Sequence, residues 1–295
     1  GLLESTGYAP AAEDAPAADV SDDDLDTITG PLEARVEQEA SRLRPTDVER
    51  TAGDIGAARR LLSDIATGQT AALILPEAGG LTAMSADGGW VLSGSAGPEV
   101  GVCGADWLIV TAAADSGGRL WIVLPASAAG VRVDPQTPTD LTRDVGSVHV
   151  DGARVGAGDI LSGVDEVRAG CIAVSLLAAE AAGISRWCVD NVVAYLKVRE
   201  QFGRPIGSFQ ALQHKAAMLF INSELAAAAA WDAVRAAGQS TAQHHIAAAG
   251  AAIVAVGRLP ELVVDALTMF GAIGYTWEHD LHLYWKRAIS LAAAA

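Results

Sequence analysis

The residues with the clearest chemical potential lie in one stretch, from Arg199 to Gln210. Arg199 offers a planar cationic fork and Gln201 an amide, and the chain then reverses at a Gly-Arg-Pro sequence. Ser208 is placed to cap a following helix, whose first N–H groups lack partners within the helix. Such donors together suit a phosphate or pyrophosphate. The alternative is an ordinary helical hairpin in which Arg199 forms a salt bridge.

The other reactive side chains do not form a set with metal-ligand spacing. His244 and His245 are adjacent, so they do not share one face of a helix. The cysteines, Cys103, Cys171 and Cys188, are odd in number and lack CxxC spacing. We therefore predict no metal site, no disulfide framework and a reduced, cytoplasmic location.

Composition excludes several classes of partner. The chain has 295 residues, with 20 Lys and Arg against 36 Asp and Glu, for a formal net charge of -16. Nucleic acids and anionic membrane surfaces require a basic face, so neither is an expected partner. We find no run of about 18 strongly apolar residues and expect no membrane span. A hydrophobic fraction of 51% with only 5% aromatic residues predicts a core of small aliphatic side chains in a helical bundle.

The sequence divides into three predicted regions, whose helices and strands must position the residues named above. Residues 1–69 form a shortened helical domain, with an acidic stretch at 10–30 and helices at 31–43 and 48–65. Residues 70–162 form a middle β-domain, an antiparallel barrel or sandwich, with turns that include Asp151-Gly152. Residues 163–295 form a C-terminal helical bundle. The β-domain strands are expected at 71–75, 89–93, 107–112, 120–124, 131–133 and 147–150, and the bundle helices at 163–195, 208–237, 243–256, 261–270 and 281–291.

Two segments closely resemble signature sequences of the acyl-CoA dehydrogenase family. The first is Arg199–Lys215, with the sequence REQFGRPIGSFQALQHK. The second is Phe270–Asp280, FGAIGYTWEHD in the form common in actinobacterial members, followed by YWKRA at 284–288. A third, weaker match in the middle domain consists of WVLSG at 90–94, DLTR at 140–143 and VDGARV at 150–155. The resemblance implies an α+β, mainly helical fold in the same three regions.

The resemblance also implies a cofactor, FAD, held between the β-domain and the bundle with its ADP half reaching a neighbouring subunit. In the family, a glutamate removes the acyl α-proton while the flavin takes the β-hydrogen. The matching cofactor residues fall in the two signature segments. Arg199 and Gln201 would hold the pyrophosphate and adenosine half, Phe202 would pack on the adenine, Gln210 would lie nearby, and Gly271 and Gly274 would let the backbone approach.

The flavin side departs from the family pattern. Where members usually have Thr-Glu-Pro-Gly, this chain has Pro76-Glu-Ala-Gly, and proline supplies neither a hydroxyl nor an N–H donor. The next flavin-side segment is Ser95-Ala-Gly-Pro-Glu99. Thr268 replaces the usual Gln before the Gly-Gly pair, and Ala272 replaces its second Gly. The sequence thus keeps the ADP-side residues and loses the flavin-side ones.

The catalytic base is also missing from its expected place. One family position falls near Ala173, where there is no carboxylate. Glu180 lies about two turns further along the same predicted helix, where a salt bridge is the plainer role. Glu278, within the second signature, is the remaining candidate, although helix capping explains it as well.

We therefore interpret the chain as an acyl-CoA dehydrogenase subunit that completes a partner's FAD site, resembling the degenerate subunit of heteromeric, tetrameric members. The implied partners are a catalytic acyl-CoA dehydrogenase subunit, an acyl-CoA substrate, which includes CoA esters of steroid side chains, and an electron-transfer flavoprotein. Two alternatives remain open. The protein could be a self-sufficient homo-oligomeric dehydrogenase using Glu278, or a flavin-free scaffold that binds another protein through its Ala-rich helices.

Overall fold

A computed structural model of the protein describes residues 56–74 and 80–294, which all belong to one of its two structural units, Ala52–Ala295. The acidic stretch, the helix expected at 31–43 and the Pro76 loop lie outside the described residues. Of the helix expected at 48–65, the described part is α1 (Gly56–Ala66). Ala57 and Leu61, one turn apart, are buried against Val123 of the sheet, so α1 packs through one face.

The middle of the chain forms a seven-stranded sheet. Each expected strand is present. The structure adds one strand that the sequence pattern does not predict, Leu81–Ala86, because its residues alternate between buried and exposed only over its first half. The strands are β1 (Ala71–Ile74), β2 (Leu81–Ala86), β3 (Gly89–Val100), β4 (Trp107–Ala114), β5 (Arg119–Pro125), β6 (Val131–Gln136) and β7 (Val145–Gly156). Their inward side chains form an aliphatic core around Leu92, Leu108 and Val148.

The sheet is mixed rather than purely antiparallel. Neighbouring pairs β2–β3, β3–β7, β6–β7 and β4–β5 are antiparallel, as expected. β4, however, pairs in parallel with β1 along its first half and with β2 along its second half. Parallel pairs need a connection longer than a tight turn, and local turn signals do not reveal such pairs in a sequence.

The turn expected at Asp151-Gly152 is instead a bulge inside β7. Ser93 pairs with Asp151 and Leu92 with Ala153, so Gly152 is the extra residue on the β7 strand. Its φ of +69° is the left-handed conformation that glycine adopts without steric cost. The Asp-Gly pair therefore bends a long strand and does not end it.

The remainder of the chain is a helical bundle. Its helices are α2 (Glu166–Val198), α3 (Gln210–Ala236), α4 (Thr241–Ala251), α5 (Leu259–Phe270) and α6 (Leu281–Ala294). A π-turn at Ala252–Val256 follows α4, and Pro260 lies in the first turn of α5, where a missing N–H costs nothing. Alanines at buried positions of α2 and α3 let the helices approach closely, and the sheet-then-bundle fold agrees with the predicted fold class.

The prediction that Ser208 caps α3 is wrong. Ser208 lies in a short 3₁₀ turn, Ile206–Ser208, and its hydroxyl donates to the Pro205 carbonyl at 2.7 Å. The residue preceding α3 is Phe209, which provides no side-chain cap. The first N–H groups of α3 therefore do not gain a side-chain partner from Ser208.

Two segments contradict the expectation that no long apolar run exists. Glu166–Val198 and Thr241–Tyr275 are long and apolar enough to cross a membrane by length and composition alone, each with a mean hydropathy of 1.6. Core helices of a bundle pass the same test, and α2 packs against α3, α4 and α5. Only 28% and 39% of their most apolar windows are buried, so both segments carry apolar surface that the described chain does not cover.

Candidate functional site

The segment after α2 is a tight two-stranded hairpin. Its strands are β8 (Glu200–Gln201) and β9 (Arg204–Pro205), paired antiparallel. The hairpin is anchored to the end of α2, because the Arg199 N–H donates to the Tyr195 carbonyl at 2.9 Å and the Arg199 carbonyl accepts from Ile206 N–H at 2.7 Å. Phe202 and Gly203 form the tip, both at positive φ.

The side chains expected to bind the cofactor project from this hairpin into open space. Within the described residues, the Arg199 guanidinium has no hydrogen-bond or ion-pair partner. Gln201 uses one amide hydrogen locally, on the Glu200 carbonyl at 2.8 Å, and its amide oxygen remains available. Phe202 is 92% exposed, at a φ of +56° that a bulky residue adopts only at a cost. The hairpin thus presents a cation, an amide and an aromatic ring outward.

Phe209 supports the hairpin from beneath. The guanidinium of Arg204 lies over its ring at 4.2 Å, and the Phe202 ring meets it edge-on with centroids 6.0 Å apart. Arg204 is therefore occupied within the hairpin, whereas Arg199 is free. Gln210 begins α3 and is exposed beside this support.

The second expected segment is the 3₁₀ turn Gly271–Tyr275, which follows α5. Gly271 ends α5 at φ +68° and ψ -145°, a conformation essentially restricted to glycine. Gly274 is buried, and a Cβ there would lie 3.1 Å from the Phe270 Cβ and 3.3 Å from the Leu267 carbonyl oxygen. Glycine is thus favoured at both positions for reasons within the turn, namely the backbone conformation of Gly271 and the close packing around Gly274.

Aromatic contacts bring the two segments to the same end of the bundle. Tyr195, one turn before Arg199, packs on Phe270, the residue before Gly271, with ring centroids 4.7 Å apart. The hairpin and the glycine turn therefore start from adjacent points.

None of the carboxylates considered as the base lies in a suitable place. Ala173 is confirmed on α2, without a carboxylate at that position. Glu278 is exposed on the turn before α6, and its side chain has no hydrogen bond within the described residues. A general base needs to be held against its substrate, and nothing in the described structure holds Glu278.

Glu180 belongs to an ion-pair network at the seam between sheet and bundle, which confirms its expected salt-bridge role. Its two oxygens accept from Arg143 of the β6–β7 loop and Arg287 of α6. The Arg287 Nε also donates to Asp140 at 2.6 Å. We name these four residues, Asp140, Arg143, Glu180 and Arg287, the seam network. Asp140 and Arg143 belong to the DLTR match. Their partners, Arg287 and Glu180, lie 147 and 37 positions away and could not be assigned from the sequence.

Asp140 is the most buried member of the seam network, with 3% of its surface exposed. Burial pushes its pKa upward, but hydrogen bonds from Thr142 and the charge of Arg287 outweigh burial and hold the pKa below the ordinary value. Asp140 is therefore ionised, and it is paired with Arg287 where α6 meets the β6–β7 loop.

A second buried polar pair joins α2 and α4. His244 is 1% exposed and its Nε2 lies 3.1 Å from the Ser175 hydroxyl, which itself donates to the Cys171 carbonyl at 2.7 Å. Burial, and then the nearby positive charge of Arg168, lower the pKa of His244. His244 is thus a neutral core histidine, while its neighbour His245 is exposed.

Cysteine and metal chemistry have little support in the described residues. Cys188 is fully buried on α2, and burial raises its pKa to about 12. Cys171 is also buried, and Cys103 is free and exposed. Among residues 56–74 and 80–294, no three His, Cys, Asp or Glu side chains are grouped so that they could hold a metal ion.

Comparisons with known proteins show which family the bundle resembles. Residues 157–294 match the family model described as "Acyl-CoA dehydrogenase, C-terminal domain". Acyl-CoA dehydrogenase FadE34 of Mycobacterium tuberculosis is 41% identical over 197 residues, 66% of this chain and 26% of FadE34. The chain spans only 26% to 45% of the length of the first curated relatives it matches.

Solved structures extend the likeness to the sheet. The Tcur3481-Tcur3483 steroid ACAD is 28% identical with a TM-score of 0.72, covering 80% of this chain and 68% of that one. A chain of the ChsE4-ChsE5 complex from Mycobacterium tuberculosis is 26% identical with a TM-score of 0.67, covering 79% and 64%. Residues 157–294 therefore form an acyl-CoA dehydrogenase C-terminal domain, and the sheet and bundle together resemble these solved structures.

Proposed function

We propose that this protein is a subunit of an FAD-dependent acyl-CoA dehydrogenase and supplies the residues that bind the ADP half of the cofactor. The observation that carries the proposal is the outward-facing hairpin, where Arg199 has no partner in the described chain and Phe202 is 92% exposed. An unpaired guanidinium fits an anionic pyrophosphate, and an exposed ring fits a purine. Phe202 touches Phe209 through one edge of its ring and leaves most of its surface open.

In the proposed reaction, an acyl-CoA loses its α-proton to a carboxylate and its β-hydrogen as hydride, which forms the α,β double bond. FAD supplies the hydride acceptor when it is bound. The residues of this chain would orient the cofactor: Arg199 and Gln201 would bind its diphosphate and adenosine half, and the Gly271–Gly274 backbone would approach it. An electron-transfer flavoprotein would be the electron acceptor of the assembly.

We place the base on a partner subunit, because the candidate carboxylates here serve other purposes or none. Glu180 is engaged by Arg143 and Arg287, and Glu278 is exposed. Thr268, which replaces the glutamine usual before the Gly-Gly pair, donates its hydroxyl back to the Val264 carbonyl at 2.9 Å. These features favour a hetero-oligomer, and two of the similar structures are named as two-protein assemblies. The same likeness suggests CoA esters of steroid side chains as substrates.

The proposal is tested by the flavin content of the chain expressed alone and with a neighbouring acyl-CoA dehydrogenase gene. We expect FAD only in the co-purified assembly. One FAD per chain without a partner would favour the homo-oligomer, and no FAD in either preparation would favour the scaffold.

Within the assembly, Arg199→Ala should weaken FAD binding by about ten- to a hundredfold, because a charge-assisted contact to phosphate contributes about 1.5–3 kcal/mol. Arg154→Ala is the matched control, since Arg154 is exposed on the sheet outside both signature segments. Unchanged FAD affinity in Arg199→Ala would contradict the cofactor assignment.

A further inference from the structure

The chain reversal between α5 and α6 is organised around one histidine, His279. Its Nδ1 accepts the backbone N–H of Leu281, the first residue of α6, at 3.1 Å. Its carbonyl accepts from His282 Nδ1 at 2.8 Å. The His279 side chain, two residues before Leu281, therefore gives the first N–H of α6 an acceptor.

The same ring packs against the aromatic residues of α2 and α5. It lies 4.4 Å from the Phe270 ring and 6.4 Å, edge-on, from Trp187. Trp187 in turn stacks on Tyr284 of α6 with centroids 3.7 Å apart. His279 thus joins the end of α5, the side of α2 and the start of α6 through a single side chain.

This position links both proposed cofactor segments. Phe270 precedes Gly271 directly, and on its other side it packs on Tyr195, whose carbonyl accepts the Arg199 N–H. A displacement of His279 would therefore shift the glycine turn through its contact with Phe270. It would shift the hairpin through the contact between Phe270 and Tyr195. The turn is tied to α5 by the Gly271 N–H, which donates to the Leu267 and Thr268 carbonyls. Phe270 and His279 add the ring contacts that join it to α2.

We infer that His279 is a positioning residue for the ADP half of the cofactor, acting through Phe270 and the cap of α6. The inference rests on the proposed function, because it assumes that the hairpin and the glycine turn bind that half. We do not propose a contact between His279 and the cofactor. The proposed effect of His279 is to keep the glycine turn and the hairpin in the conformation that binds the cofactor.

Two substitutions separate the two contacts of His279. His279→Asn keeps a side-chain acceptor for the Leu281 N–H and removes the ring. His279→Phe keeps a ring against Phe270 and removes the acceptor. His245→Asn and His245→Phe are matched controls, because His245 is exposed on α4 and outside the aromatic cluster. Arg199→Ala reports whether the proposed cofactor site is real.

The measurements are the FAD dissociation constant of the purified assembly, the absorption spectrum of the bound flavin, and the melting temperature of the cofactor-free assembly. We expect FAD affinity to fall about threefold in His279→Asn and about tenfold in His279→Phe, since loss of a cap or a packing contact lowers the population of the ordered turn. The flavin spectrum should stay at the parent values, because the flavin half is not involved. The melting temperature of the cofactor-free assembly should fall by only a few degrees, as expected for the loss of one cap or one packing contact, so that the assembly remains folded where binding is measured.

Three outcomes would overturn the inference. FAD affinity within twofold of the parent in both His279 variants, with Arg199→Ala weakened, would refute His279 alone and leave the proposed function intact. A fall in affinity that disappears when binding is measured well below the cofactor-free melting temperature of each variant would assign His279 a purely structural role. Unchanged affinity in Arg199→Ala would refute the proposed cofactor site, and the inference with it.

Discussion

At the scale of single residues, the signature glycines have two separate reasons for being glycine. Gly271 adopts a φ and ψ that other residues avoid, whereas Gly274 has almost no room for a Cβ. Motif matching treats the two positions alike. Only the backbone shows that one is a conformational requirement and the other a packing requirement.

Gly271→Ala should lower the free energy of unfolding by about 1–3 kcal/mol, because alanine is strained at that φ and ψ. Gly250→Ala is the opposite case. Gly250 is exposed within α4 with nothing within 4 Å of an added Cβ, so alanine should stabilise by about 0.5–1 kcal/mol. Urea unfolding of both variants in the purified assembly checks the pair, and equal effects would contradict the conformational argument.

At the scale of elements, the seam network ties the sheet to the bundle with charges that cancel. Two arginines and two carboxylates are partly or fully withdrawn from water, so each depends on the others for its partner. Arg287 is central, because its guanidinium contacts Asp140, Thr142 and Glu180.

Asp140→Asn should destabilise the protein by about 1–3 kcal/mol at neutral pH, because it leaves Arg287 with one charged partner fewer in a buried place. Asp134→Asn is the control, since Asp134 pairs with Arg132 at the surface and should change little. The folded-state pKa of Asp140 is lowered, so its contribution is complete above the ordinary value of 3.8 and disappears as the pH falls through the folded pKa. Equal acid sensitivity in Asp140→Asn and the parent would contradict this assignment.

Protonation of His244 should make the stability of the protein depend on pH in a higher range than the range in which Asp140 acts. Its folded-state pKa is lowered, so the unfolded chain binds the proton more tightly and stability falls as the pH drops below the ordinary value of 6.5. Melting temperatures from pH 8 to pH 5 should decline in the parent and in His245→Asn, and the decline should be smaller in His244→Asn. A parent-like slope in His244→Asn would show that another group titrates.

At the scale of the whole molecule, the bundle carries more apolar surface than its own core uses. Ile246 and Ile253 are 70% and 68% exposed, and Leu225 and Trp231 of α3 are also exposed. Soluble monomers rarely carry such contiguous apolar surface, and subunit association would remove it from water. These residues lie in two Ala-rich stretches, 225–231 and 246–256.

The chain expressed alone should therefore fail to behave as a 30.2 kDa monomer, and co-expression with its partner should yield a soluble tetramer of two kinds of chain. Leu225→Glu and Ile246→Glu should each block that assembly by burying a charge, whereas Met84→Glu, at an exposed position of β2, should not. Light scattering measures the outcome. A stable monomer with a concentration-independent melting transition would contradict the proposed association.

The sequence by itself determined that a strand-rich region precedes a helical bundle, and it located the bundle helices and both signature segments. These features depend on local periodicity, turn residues and short motifs, which the chain carries within a few residues of each position. It also predicted the salt-bridge role of Glu180, because a lone carboxylate on an apolar helix needs a partner.

Only the tertiary structure decided which distant residues meet. The parallel pairing of β4, the partners of Glu180, the Ser175–His244 contact and the aromatic cluster around His279 all join positions far apart in the chain. Local signals misled at Gly152 and Ser208, where a turn-like pair forms a bulge and a cap-like serine bonds backward. Register and side-chain direction depend on packing against remote elements, and no short stretch of sequence specifies them.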